Sequence, residues 1–184
     1  MSPRYPNQAT GITLIELLMA LAVISILSVF VTQAIASAVY KASGSIAGIS
    51  LADSLTRARS FAITRESDVV LCPSSDGSHC TTGDHWEAGW IAFADIREDG
   101  ERGDEEPILI VQGALGSKVH LISSSGRTRI RFQPTGSNGG SNATFTLCDG
   151  RGPSTAVAWV MSNAGNLHLE PAKPAAANAA CYGD

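Results

Sequence analysis

The stretch that decides the fold is GITLIELLMALAVISILSVFVTQAIASAVYK, residues 11–41. It contains no charged residue between Glu16 and Lys41. A helix of this length can cross a hydrocarbon core of about 30 Å, so the sequence predicts a membrane helix. Its one acid needs a partner, because an unpaired carboxylate at the edge of a bilayer costs on the order of a few kcal/mol.

A short polar leader, residues 1–11, precedes this helix and ends in Gly11. The segment GITLIELL, residues 11–18, resembles the N-terminal signal of type IV prepilins and of type II secretion pseudopilins. The resemblance implies that prepilin peptidase cleaves between Gly11 and Ile12, that the new N-terminus at Ile12 is methylated, and that Glu16 acts in assembly. Cleavage exposes an α-amine with an ordinary pKa of about 8, which could neutralise Glu16 of a neighbouring subunit in the lipid.

Three other interpretations compete with this one. The least favoured is a soluble buried helix, because the charge-free run is too long for it. Ala34-Ile35-Ala36 is similar to the small-residue cleavage site of an ordinary secretory signal, which would give a mature chain starting at Ser37. A plain signal anchor is the other alternative. The embedded acid Glu16, and a leader whose only basic residue is Arg4, fit a secretory signal poorly.

Residues 41–66 should continue the helix beyond the membrane as an amphipathic half that packs on the head. Its apolar residues recur mostly at three or four positions. Gly44 and Gly48 each weaken a helix by about 1 kcal/mol relative to alanine, so bending is expected there. Many pilins have a proline where this chain has Gln33, so no proline kink is expected. The residues expected to face the head are Ile46, Ile49, Leu51, Leu55, Ala58, Phe61 and Ala62.

Residues 67–184 read as a β-rich head, because short β-forming runs alternate with Gly, Pro, Ser, Asn and Asp. This pattern favours a β-sandwich or two small sheets, one of which wraps the amphipathic helix. The Ala- and Pro-rich tail, residues 171–180, is expected to be an irregular strap. Strands are predicted near residues 69–72, 90–94, 108–112, 119–122, 128–133, 143–148, 156–161 and 166–169.

The four cysteines all lie downstream of the apolar segment, which favours disulfides in an oxidising compartment. The simplest pairing joins Cys72 to Cys80 and Cys148 to Cys181, although four cysteines allow three pairings. A zinc site is the alternative, but its spacing is unlike the usual C-x-x-C ligand pairs. It would use Cys72, Cys80, His79 and His85.

The cysteine-bearing segments, residues 70–77, 89–93 and 145–149, resemble the minor pilins of the FimU and FimT type, whose heads belong with the GspH pseudopilins. The resemblance implies an α+β fold: a long N-terminal pilin helix packed on a β-sandwich-like, GspH-like head of short antiparallel strands with two disulfides. It divides the chain into a cleaved leader (1–11), a transmembrane and filament-core helix (12–40), an amphipathic helix (41–66) and a globular head with a C-terminal strap (67–184).

The same resemblance implies a function without a cofactor. The subunit would assemble with other minor pilins and the major pilin, prime pilus assembly and remain at the pilus tip. In a Gram-negative bacterium it would sit first in the inner membrane, with a periplasmic head, and then in the extracellular pilus. A GspH-type minor pseudopilin of a type II secretion system is the alternative structural role.

Composition limits other functions. The 184 residues have room for one domain plus one long element. They include 13 Lys and Arg against 17 Asp and Glu, and the net charge of -4 with scattered cations argues against a wholly nucleic-acid-binding surface. The four histidines are dispersed, and no nucleophile, base and orienting residue stand in a recognised arrangement, so no catalytic centre is predicted.

A weak calcium pattern runs from Asp95 through Asp99 to Glu106. Arg97 departs from it, because a positive charge replaces an oxygen ligand at the third loop position. A solvated acidic hairpin loop is therefore the expectation, with no metal.

Three arginines, Arg127, Arg129 and Arg131, alternate along a predicted strand and would project from one face, where they could grip phosphates. FimT-like proteins are DNA receptors in natural transformation and resemble one another in a G-R-x-R motif near the C-terminal end of the head. The sequence GRTR occurs here at residues 126–129, but the place that aligns with the motif is residues 165–168, GNLH, which has no arginine. DNA is therefore a possible partner that is not favoured.

Overall fold

The computed structural model describes residues 11–140 and 142–183, without the side chains of residues 29–31. Except for Gly11, the predicted leader lies outside the described residues. The chain forms two compact units, residues 1–38 and residues 39–184. The second unit is the head, which includes the C-terminal part of the long helix.

Helix α1 comprises Leu14–Arg65. Over its N-terminal part it is long and apolar enough to cross a membrane. Two serines in this part donate their O–H groups back to the helix, Ser25 to the Leu21 carbonyl at 2.8 Å and Ser28 to the Ile24 carbonyl at 2.7 Å. These hydroxyls therefore need no partner from the lipid.

The C-terminal part of α1 packs on the head through one stripe of small and branched side chains. Ile46 and Ile49 are not part of it, because each is 66% exposed. The prediction that they face the head is wrong, since each lies about 100° or more around the helix axis from buried Ala47. The buried apolar side chains are Ala47, Leu51, Leu55, Ala58 and Ala62.

The head contains two four-stranded antiparallel sheets. The first has the strand order β3-β2-β1-β5 and the second has the order β4-β6-β7-β8. All eight predicted strands are present, and their ends differ from the prediction by about two residues or fewer. The strands are β1 Val69–Pro73, β2 Trp90–Ala94, β3 Ile108–Gln112, β4 His120–Ser123, β5 Ile130–Phe132, β6 Ala143–Cys148, β7 Val157–Met161 and β8 Leu167–Pro171.

The main core lies where the buried stripe of α1 meets the inner faces of both sheets. Trp86, which precedes β2, is fully buried and stands edge-on to Phe145 of β6, with 5.1 Å between the ring centroids. Trp90 of β2 extends the cluster, at 6.4 Å from Trp86. These aromatic contacts join the two sheets, and the buried stripe of α1 belongs to the same core, as the α+β architecture predicted from the sequence requires.

The C-terminal tail is a helix, α2, Pro174–Tyr182, and not the irregular strap predicted for residues 171–180. Proline is tolerated in the first turn of a helix, the alanines favour helix, and Gly183 ends α2 in the left-handed conformation at φ 58°. The prediction is wrong because it took an Ala- and Pro-rich composition for irregular structure.

Two disulfides join Cys72 to Cys80 and Cys148 to Cys181. The first closes the loop after β1, and the second ties α2 to the end of β6. Both cysteines of the zinc alternative are used by the first disulfide, so they cannot act as thiolate ligands.

Candidate assembly site

The N-terminus of α1 is organised by Thr13. Its Oγ1 accepts the N–H of Glu16 at 3.3 Å, and its carbonyl accepts the N–H of Leu17 at 3.2 Å. Thr13 is therefore an N-cap, and Glu16 occupies the third helical position, as in the T-x-x-E spacing of a capping box. The acid thus lies in the first turn, where the helix dipole favours a negative charge.

The described residues around the predicted cleavage point are exposed. Among residues 11–140 and 142–183, no heavy atom lies within 4 Å of the place where a Cβ on Gly11 would stand. Ile12 is 75% exposed, and Glu16 is exposed as well. Gly11, Ile12 and Glu16 are therefore exposed residues close together at the start of α1, and their roles in processing and assembly remain predictions.

The acids of the calcium pattern are engaged by the protein itself. Asp95 has a fully buried side chain and accepts the N–H groups of Asp99 at 3.1 Å and Gly100 at 3.0 Å. Arg131 Nη2 lies 2.8 Å from the same carboxylate. Within residues 11–140 and 142–183, no group of three His, Cys, Asp or Glu side chains is placed to hold a metal.

The pKa values of the two buried acids of this loop are shifted in opposite directions. Burial raises the pKa of Asp95, and the nearby Arg131 cation only partly offsets it. Burial also acts to raise the pKa of Glu106, but the N–H groups of Gly103 at 2.7 Å and Arg97 at 3.1 Å outweigh it and hold the pKa below its ordinary value. The loop is thus built on backbone donors and arginine.

The three arginines do not form a ladder on one strand. Strand β5 begins at Ile130, so only Arg131 lies in it. Arg129 binds Glu101 at 2.6 Å, and Arg131 binds Asp95 and, at 3.5 Å, Asp68. The prediction that all three project along one strand face is wrong, because two of them turn to the acidic loop that the first sheet brings beside them. Both cations are thus already paired with carboxylates of the protein.

The segment that aligns with the DNA-receptor motif, residues 165–168, supports the helix instead. The Gly165 carbonyl accepts Arg59 Nη1 at 3.3 Å, and Gly165 has a φ of 75°. Arg59 belongs to α1, so this cation is directed into the head.

Gly44 and Gly48, which are expected to weaken the helix, lie where side chains of the head approach its backbone. A Cβ on Gly44 would lie 2.7 Å from Asp149 Oδ2, and a Cβ on Gly48 would lie 2.9 Å from Trp159 Nε1. The helix does not melt at either glycine, since α1 is helical through both. The G-x-x-x-G spacing was the signal that could have identified them, because it lets another element approach a helix backbone.

Asp149 sits between this part of α1 and Arg151. Arg151 donates to both carboxylate oxygens, at 2.9 Å from Nε and 2.7 Å from Nη2. Burial acts to raise the pKa of Asp149, but the hydrogen bonds from Arg151 outweigh it and lower the pKa. The following glycine, Gly150, leaves room for the Tyr40 ring, which a Cβ there would meet at 2.7 Å.

Comparison with known proteins gives two family matches. The model of the type II transport protein GspH matches residues 47–165. The model of the prokaryotic N-terminal methylation motif matches residues 6–32. No curated protein sequence matches significantly.

Two solved structures of one minor pilin have a similar fold. Two crystal forms of the type IV minor pilin FimU of Pseudomonas aeruginosa PAO1 match at 18% identity, with TM-scores of 0.50 and 0.51. They cover 77% and 78% of this chain and 99% and 95% of their own. The minor pseudopilin EpsH of the Vibrio cholerae type 2 secretion system matches at 14% identity and a TM-score of 0.49, covering 70% of this chain and 96% of its own.

Proposed function

Because this chain belongs to the family of the type II transport protein GspH and carries a prokaryotic N-terminal methylation motif, we propose that it is a minor type IV pilin that primes pilus assembly with other minor pilins and remains at the tip. Pilins and pseudopilins are structural proteins, so the chain is not an enzyme. Its apolar helix and methylation motif fit anchoring in the inner membrane.

The observation that carries the proposal is the arrangement at the start of α1. Prepilin peptidase would cleave between accessible Gly11 and Ile12, and the new amine at Ile12 would be methylated. Glu16 stands on the first turn, which Thr13 caps. An acid in an otherwise apolar helix is stable in lipid when a cation neutralises it, and the N-terminal amine of the adjacent subunit supplies one. This pairing would set the register of the subunit in the fibre.

The resemblance of the cysteine-bearing segments to the FimU and FimT type supports the pilus role. The major pilin and the other minor pilins are then the partners, with the head in the periplasm before assembly and outside the cell afterwards. The GspH family match also supports the second candidate, a minor pseudopilin of a type II secretion system. A pilus-borne DNA receptor is not favoured, since Arg129 and Arg131 are paired with acids.

The proposal is tested by processing and by assembly. Mass determination of the protein from cells with and without prepilin peptidase should give a mature chain starting at methylated Ile12 only when the peptidase is present. A chain starting at Ser37, or an uncut leader in a piliated cell, would contradict the proposal.

For assembly, Glu16→Ala should abolish incorporation into fibres. Asp53→Ala is the matched control, because Asp53 is the other acid of α1, is 58% exposed and is paired only with Arg57. The control should assemble like the parent. Loss of surface pili in a deletion strain, with secretion of exoproteins retained, would identify the pilus role, and the reverse result would identify the pseudopilin.

A further inference from the structure

Arg59, on the C-terminal part of α1, is a half-buried cation without an acid beside it. Most arginines among the described residues are paired with carboxylates, as Arg131 is with Asp95 at 2.8 Å. Arg59 forms no ion pair with any described residue. Arg65 and Arg127 are also unpaired, but Arg59 differs from both because its Nε is buried without a hydrogen-bond partner. Since arginine keeps its charge in proteins, this guanidinium retains a full positive charge.

Two glycine turns hold the side chain of Arg59 in place. Its Nη1 lies 3.3 Å from the carbonyl oxygen of Gly165, in the turn between β7 and β8. A Cβ on Gly165 would lie 3.3 Å from Arg59 Nε, and a Cβ on Gly136, in the loop between β5 and β6, would lie 3.2 Å from it. The guanidinium is thus positioned before any partner arrives, which reduces the entropy lost on binding.

Arg59 lines a cavity of about 270 Å³ between α1 and the hairpin of β7 and β8. The walls are mostly apolar. Thr56 adds no free donor, since its hydroxyl donates to the Ala52 carbonyl at 2.7 Å. The donors in the lining are therefore the guanidinium of Arg59 and the amide of exposed Asn166. The other lining side chains are Leu55, Thr56, Phe132, Met161 and Leu167.

The size and charge of this cavity favour the carboxylate side chain of another protein. Pockets for small molecules usually measure about 300–1,000 Å³, so a smaller cavity suits one or two side chains. A guanidinium binds a carboxylate through charge-assisted hydrogen bonds, which are stronger than those between neutral groups. A nucleic acid is not favoured, because it requires several cations and the chain has a net charge of -4.

We propose that this cavity, the Arg59 pocket, binds an aspartate or glutamate side chain of a neighbouring pilin subunit, with an apolar residue of that subunit against the apolar walls. The proposal rests on the fibre-assembly role proposed above. Arginines that anchor a contact in a pocket are frequent among the residues that dominate protein–protein affinity. The Arg59 pocket would give the head its own contact in the fibre, and the charge would select which partner surface fits it.

The first test measures the chemistry of the pocket on the full chain in micelles of a neutral detergent. Propionate is the glutamate side chain without its backbone, and propionamide is its uncharged counterpart. With isotope-labelled arginine, the guanidinium carbon signal of Arg59, assigned through Arg59→Lys, should shift on titration. Propionate should half-saturate this shift at a concentration about tenfold or more below that of propionamide.

Arg57 is the internal control in the same titration, because it lies on the same helix, is exposed and is paired with Asp53. Its signal should not follow the Arg59 saturation curve. Equal responses to the two probes, or equal movement of the Arg57 and Arg59 signals, would overturn the proposal by showing non-specific screening. Inorganic phosphate that binds at least tenfold more tightly than propionate would also overturn it, by assigning the pocket to a phosphate ligand.

The second test identifies the occupant in cells that build fibres. A photo-cross-linking amino acid replaces Asn166, which is exposed and lines the pocket. The cross-linked peptide, identified by mass spectrometry, should belong to another pilin subunit and contain an acid next to an apolar residue. Arg59→Gln should reduce the cross-link about tenfold or more, and Arg57→Gln should leave it unchanged. An absent cross-link, a peptide without an acid, or a cross-link that persists in Arg59→Gln would overturn the proposal.

A charge swap distinguishes binding from a purely structural role of Arg59. Arg59→Glu should abolish the cross-link, and an arginine in place of the partner's acid should restore it. Loss without restoration would overturn the proposal, because it would mean that Arg59 only supports the two glycine turns.

Glu16→Ala separates the pocket from the proposed function, because this variant keeps Arg59. Assembly of Glu16→Ala like the parent, together with a cross-link that depends on Arg59, would refute the proposed function and support the pocket. Loss of assembly in Glu16→Ala, with no Arg59-dependent cross-link in the parent, would refute the pocket alone.

Discussion

Arg131→Met should destabilise the head substantially, because it leaves the buried carboxylate of Asp95 without its cation. Arg131 Nη2 lies 2.8 Å from Asp95, whose side chain has no exposed surface. Removing one partner of a fully buried pair costs about 3–5 kcal/mol. Arg131 itself is 35% exposed and Asp95 keeps two backbone N–H donors, so we expect a smaller loss of about 2–3 kcal/mol.

The loss should depend on pH. Burial raises the pKa of Asp95 above its unfolded value, and Arg131 opposes this rise. A raised carboxyl pKa means that the folded state binds more protons than the unfolded state between the two pKa values, so stability falls as pH rises through that window. Without Arg131 the folded pKa rises further. The loss should therefore be largest near neutral pH and should shrink as the pH approaches the unfolded pKa of about 3.9.

The measurement is urea unfolding of the full chain in detergent micelles, followed by tryptophan fluorescence at several pH values. Trp86 and Trp90 are fully buried in the head and report its unfolding. Arg129→Met is the matched control, since its partner Glu101 is 63% exposed and such a pair contributes about 1 kcal/mol or less. An Arg131→Met loss no greater than that of the control, or one that does not diminish in acid, would refute the reasoning.

Two further predictions concern α1. Leu51→Ala should lower the free energy of unfolding by about 2–5 kcal/mol, because Leu51 is fully buried. Ile49→Ala should lower it by less than about 1 kcal/mol, because Ile49 is 66% exposed. Equal losses in urea unfolding would contradict the packing described. Helix propensity alone favours alanine at position 44. Gly44→Ala should nevertheless destabilise the head by about 1–2 kcal/mol, since the new Cβ would meet Asp149 at 2.7 Å. Gly113→Ala is the control, because a Cβ there has open space.

Much of the architecture could be predicted because it depends on local signals. The apolar run after Glu16 defines a helix by itself, and alternating β-forming residues between turn residues identify all eight strands. The family prediction, made from GITLIELL and the cysteine-bearing segments, is confirmed by the GspH and methylation-motif matches. The roles of Gly11, Ile12 and Glu16 remain predictions.

The errors arise where a local pattern has more than one physical outcome. Ile46 and Ile49 are apolar at suitable spacing, but only one stripe of the helix meets the sheets, and they lie outside it. The Ala- and Pro-rich composition of residues 171–180 suits either irregular structure or a helix, and Pro174 and Gly183 stand at the two ends of α2.

By itself the sequence determined the membrane segment, the candidate cleavage point, the class of the head and the number of strands, because these follow from composition and spacing within short windows. Only the tertiary structure decided that Arg131 meets Asp95, 36 residues away in the chain, and that Gly44 admits Asp149. Such contacts depend on how the two sheets close around α1, and no short window of sequence contains that information.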